Sequence, residues 1–182
     1  RLYALDKQNV DAHRRIQYCL GRILQANRHV HPSLRDKVIT LQHGQALALY
    51  AEVLNTLHTA YVDKSRVSPN LLFQQGLEEF FLALNAAHYR KHYLPDAKDR
   101  AIREFQTRLR DYVSARATVE SIPDAVELVK QIATTAKRDL QLQKTSAVVL
   151  EFIGGAGNTP GEDTPDPSPA DLAPGVPSRG GP

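Results

Sequence analysis

The stretch LALYAEVLNTLHTAY, residues 47–61, decides how the chain is read. Leu47, Tyr50, Leu54, Leu57 and Tyr61 step by three, four, three and four. That spacing lays apolar side chains along one face of a helix of about 3.6 residues per turn. The same rhythm recurs in Phe73, Leu77, Phe80 and Leu84, and in Ile102, Phe105, Leu109 and Tyr112. It recurs again in Val126, Val129, Ala133, Ala136 and Leu140, and earlier in Ile16, Leu20, Ile23 and Leu24. No Asn-Gly or Asp-Gly pair joins two alternating runs, so β-hairpin signals are missing. The pattern predicts an all-α protein.

Prolines and capping residues set the expected boundaries. Ser33 after Pro32, with Asp36 three residues on, reads as the start of a short helix. Ser68 before Pro69 gives the cap-then-proline order of a helix start. Pro95-Asp96 with Asp99 places carboxylates at the positive end of a helix dipole, and Pro123-Asp124 opens the last long helix. Helices are expected near 8–28, 33–41, 44–62, 69–88, 96–118 and 123–153. The short connections between them imply an antiparallel bundle over residues 1–153. Leu54, Leu57, Tyr61, Leu77, Phe80, Leu84, Phe105, Leu109, Val129, Ile132 and Leu150 are its expected core.

The rest of the chain differs in composition. Residues 154–182 hold seven of the ten glycines and seven of the eleven prolines, and Leu172 and Val176 are their only large apolar side chains. Such a segment cannot bury enough surface to offset its chain entropy, so it reads as a disordered tail. The whole chain, 182 residues, carries a formal charge of +3. Glu162, Asp163, Asp166 and Asp171 against Arg179 make the tail acidic, which concentrates the basic excess on the body.

Composition excludes more chemistry than it suggests. No apolar run reaches the roughly 18–20 residues of a membrane-spanning helix. The single cysteine, Cys19, rules out an internal disulfide framework and sits in a helical stripe, where it reads as a buried, inert side chain. His29 and His31, and His88 and His92, are near in sequence. However, the 88–92 segment lacks the glutamate of a metalloprotease helix and places Arg90 and Lys91 between its imidazoles. No metal or other cofactor is expected. Ser146 follows Lys144 by two residues, which on a helix points the two side chains apart. No nucleophile elbow or phosphate loop occurs. The basic residues of 98–116 are interleaved with Asp99, Glu104 and Asp111, a mixed face that does not call for nucleic acid. By contrast, the 69–88 segment is apolar on several sides, which requires a central position or an interface. Leu72 and Phe81 are its candidate partner contacts, for a homodimer or for docking to a larger protein.

Two stretches resemble a known family. Leu49–Asp63, ending in Tyr61-Val62-Asp63, is followed by Pro69–Glu79, with Leu72-Phe73-Gln74-Gln75-Gly76-Leu77 at its centre. The segment Val148–Asn158, VVLEFIGGAGN, closes the body. Together they resemble the N-terminal helical region of carboxyl-terminal processing serine peptidases, the S41 family. There the last segment runs into a Leu-Asp stretch and a PDZ domain. Here Thr159-Pro160-Gly161-Glu162 follows instead, as in a truncated or frame-shifted reading of a longer gene. The Ser–Lys core has no counterpart in this chain, so the resemblance carries over no catalytic residue. It implies a non-catalytic module that supports dimerisation or substrate access in proteolysis. Peptide substrate would be engaged by domains outside this chain, in the periplasm or cell envelope. The residues by themselves equally suit a free-standing helical interaction or scaffold module.

Overall fold

The computed structural model describes residues 10–60, 67–115 and 118–157; over 10–18 and 33–35 it describes the backbone course alone. Eight helices and no strand occur among the described residues. They are α1 (Val10–Val30), α2 (Pro32–Lys37), α3 (His43–Ala60), α4 (Pro69–Asn85), α5 (Ala87–Tyr93), α6 (Asp99–Ser114), α7 (Ile122–Leu140) and α8 (Thr145–Gly157).

The expected all-α bundle is present, with three boundaries that the apolar rhythm does not reveal. The 69–88 helix is interrupted at Ala86, whose extended backbone (φ −82°, ψ 127°) ends α4 and begins α5. The 123–153 helix is broken at Gln141, which takes a left-handed conformation (φ 54°, ψ 37°) and separates α7 from α8. Third, α8 continues to Gly157, past the expected linker onset at Gly154. Gly154 and Gly155 stay helical because both face close neighbours. A Cβ on Gly155 would collide with the Gln75 backbone, and one on Gly154 would meet the Arg28 guanidinium. α2 begins at Pro32, so Ser33 lies inside the helix and not at its cap.

The centre of the bundle is α8, which packs on α4, α3 and α7. Nine of its thirteen residues are buried. A helix apolar on all sides has to be surrounded, and α8 meets that condition more fully than α4 does. Gly76 of α4 lets the two helices approach: a Cβ there would stand 2.6 Å from the Phe152 ring. Phe152 itself packs against Tyr50, Phe73 and Phe80. Of the expected core, Leu54, Leu77, Phe80, Leu84, Phe105, Leu109, Val129, Ile132 and Leu150 are buried, and Leu57 packs partly buried at the edge. Tyr61 lies outside the described residues, as does the tail from 158.

α6 crosses α7 and is tied to α4 by Gln106, whose Nε2 donates to the Phe81 carbonyl at 3.2 Å. The Val119 N–H donates to Asn70 Oδ1 at 3.2 Å, holding the segment after α6 against the start of α4. Ser68 and Ser121 cap α4 and α7 by accepting from the Leu71 and Asp124 N–H groups.

Candidate functional site

α1 is attached to this bundle the wrong way round for an amphipathic helix. The described members of its apolar stripe point outward: Leu20 is 47% exposed, Ile23 56% and Leu24 52%. Cys19, next to them, is also exposed and not buried as its stripe suggested. The side chains that face the bundle are polar. Gln25 is 1% exposed and His29 3%, and no described apolar side chain of α1 belongs to the core. Periodicity identified which residues share a face, but it could not say which face turns inward.

The polar face meets two carboxylates. Glu151 is the one charged residue of α8 and is fully buried. Gln25 Nε2 donates to Glu151 Oε2 at 3.0 Å and to the Glu79 carbonyl at 2.9 Å. The Arg28 guanidinium bonds the Glu79 carboxylate and reaches Glu151 Oε2 at 3.2 Å. His29 Nε2 pairs with Glu151 Oε1, while its Nδ1 lies 3.2 Å from the Tyr93 hydroxyl. Facing a carboxylate oxygen, Nε2 is the ring nitrogen that donates there. Arg22 adds a longer bond, 3.3 Å, to the Leu82 carbonyl.

α5 walls the junction with rings. His29 stands edge-on to Tyr89 and Tyr93, and its centroid is 5.6 Å from that of His88. Burial, with the charge of His29 second, pushes the His88 imidazole below its ordinary value and favours its neutral form. Burial, then Glu151 and Tyr93, raises the Tyr89 hydroxyl well above the usual phenol range. Buried and without hydrogen-bond partners are Arg28 Nε, His88 Nε2 and the Tyr89 hydroxyl.

A second feature lies between α4 and α6. An open groove of about 780 Å³ is lined by Phe73, Leu77, Phe81 and Val113, with Glu78 and Arg110 among its polar walls. The Arg110 guanidinium carbon stands 4.7 Å from the Phe81 ring centroid. Burial, and then the charge of Glu79, raises the Glu78 carboxyl.

These features relocate the candidate residues. Leu72 is fully buried in the core and offers nothing to a partner, because α4 turns it toward the bundle centre. Phe81 is half-buried on the groove wall. Ser146 Oγ donates to the Ile39 carbonyl at 2.7 Å, a buried tether between α8 and the segment before α3. Among the described residues no group of three or more ligating side chains could hold a metal ion, and no helix is long and apolar enough to cross a membrane. The junction itself escaped the sequence reading. Its signal was present as Glu151, a lone charge inside the apolar run 147–153. Such a charge demands a partner from elsewhere in the fold.

Comparison with protein-family models, with curated proteins and with solved structures gave no match.

Proposed function

We propose that this chain is a non-catalytic protein-docking module, the N-terminal helical region of a carboxyl-terminal processing serine peptidase. One observation carries the docking role: α1 holds Leu20, Ile23 and Leu24 outward while its polar face is fixed to the bundle. An apolar row at helical spacing, turned to solvent on a helix already anchored by its other side, is built to be covered. The peptidase reading is supported by packing. Of the segments that carry the resemblance, Leu49–Asp63, Pro69–Glu79 and Val148–Asn158, the described parts lie in α3, α4 and α8, and α4 meets α8 through Gly76 and Gly155. They form one close-packed unit, as segments of a shared module would.

Sedimentation equilibrium on the full chain tests the docking role. Reversible self-association is expected at high micromolar concentration, and Leu24→Glu should abolish it. A strict monomer, unchanged by Leu24→Glu, removes self-association and leaves only docking to a different protein. The peptidase reading has its own test. The nucleotide sequence after the Asn158 codon, read in all frames, should encode a PDZ domain and a Ser–Lys core. If it does not, the free-standing interaction module is the correct reading.

A further inference from the structure

We infer that Glu79, Glu151 and Gly154 form a receptor site on the bundle for a guanidinium-bearing helix, and that α1 is its exchangeable occupant. The external occupant that fits by construction is α1 of a second copy. This rests on the polar junction alone, on the opposite side of α1 from the outward apolar row, and does not depend on what covers that row.

Three observations carry it. First, the hydrogen bonds described for the Glu151 carboxylate all come from α1: from Gln25, Arg28 and His29. Among the described residues, no bundle element other than α1 donates a hydrogen bond to it. A buried ion pair seldom adds net stability over an apolar residue of similar size, so a carboxylate at the centre of α8 acts by selecting what docks on it. Second, the site is shaped. A Cβ built on Gly154 would stand 2.5 Å from Arg28 Nη1, so the missing side chain leaves a notch that the guanidinium fills. Arg and His adjacent in sequence, with Gln three residues before the Arg, place three donors over two carboxylates and this notch. Third, α1 adds no described apolar residue to the core, and the junction leaves Arg28 Nε, His88 Nε2 and the Tyr89 hydroxyl unpartnered. A helix held by incompletely satisfied polar contacts gains little from docking compared with one held by apolar burial. It therefore opens separately from the bundle. Among the described residues, Gln25, Arg28 and His29 of α1 bond Glu151, its charge acts on His88 and Tyr89 of α5, and Glu79 of α4 and Tyr93 of α5 bond the same α1 side chains.

Complementation in trans tests the proposal on the full chain. In the Arg28→Gln/His29→Gln variant the resident α1 loses its hold, and a dye-labelled synthetic peptide of residues 10–31 is titrated against it by fluorescence anisotropy. Saturable binding is expected. It should be at least ten-fold weaker to the wild-type chain, whose site is filled in cis, and at least ten-fold weaker when Gly154→Val closes the notch. Equal binding to all three chains, or none to a variant that keeps its helical circular dichroism and cooperative melting, overturns the proposal. Should the variant not fold, hydrogen exchange on the wild-type chain decides. α1 amides exchanging at least ten-fold faster than α8 amides sustain the proposal, and equal protection of the two helices overturns it. The Leu24→Glu association test reads the other face of α1, so either reading can fail alone.

Discussion

Gly155 lies so close to Gln75 and Gly76 that the obstacle to any side chain is backbone. Gly155→Ala is therefore expected to destabilise the protein by about 1–3 kcal/mol, despite the better helix propensity of alanine. Gly21→Ala is the control: a Cβ there meets nothing within 4 Å, and the substitution should be neutral or stabilising. Urea denaturation of both variants reads the difference. The imidazoles give a pH prediction at the same scale. Burial is the first cause that lowers both His88 and His43, and His43 also feels Lys130 and Lys137. Below their unfolded value of about 6.5, the unfolded chain binds protons that the folded chain does not, so stability should fall as pH drops through that value. His88→Gln should flatten part of this dependence in denaturation midpoints measured from pH 7.5 down to 5.5. Residue chemistry was only partly legible in the sequence. Glu151 announced a partner without naming it. Gln25 and His29, 54 and 126 positions from Glu79 and Glu151 in the bonds that Gln25 makes, give no local sign of burial.

Helix starts were more legible than helix ends. Ser68 before Pro69 satisfies an N–H that α4 would otherwise leave open, and both the capping type and the proline are visible in the sequence. Ser68→Ala should cost about 1 kcal/mol, read as a lowered melting temperature. The break at Gln141 was illegible because the residue that usually takes a left-handed conformation at a helix end is glycine or asparagine. Tertiary packing of α8 imposes that conformation on a side chain that does not favour it. Gln141→Gly should then raise stability by up to about 1 kcal/mol, relief of the left-handed cost exceeding the added freedom of the unfolded chain. A decrease in the urea midpoint would show that the Gln141 side chain contributes more than its backbone costs. The interruption at Ala86 has the same origin, for alanine carries no stop signal in either direction.

Most apolar residues described in the molecule lie inside and one row lies outside on α1, and substitution should separate the two. Leu84 is fully buried, and Leu84→Ala should cost about 2–5 kcal/mol in denaturation. Leu20→Glu combined with Leu24→Glu removes comparable side chains from the surface of α1. Stability should change by less than about 0.5 kcal/mol per site, while self-association measured by light scattering is lost. A large stability loss in the surface variant would place the row in the protein's own core. Apart from Tyr112, which is 42% exposed at the end of its row, the described members of the apolar stripes from α3 onward pack inward as the sequence implied. α1 is the exception, and the reason lies in Glu79 and Glu151, which offer its polar face a partner that water would otherwise supply.

The central position of α8 has a consequence for how the chain comes off the ribosome. α3, α4 and α7 are all synthesised before the helix they surround, and at about 5–20 residues per second each waits for it with its apolar side open. The contacts of α3 and α4 with α8 join segments far apart in sequence, which slows folding relative to a bundle of neighbouring hairpins. Until Thr145–Gly157 clears the exit tunnel, the nascent chain is a set of helices around a vacant axis. That interval is when it most needs a chaperone, and a pause in translation just before residue 145 would lengthen it.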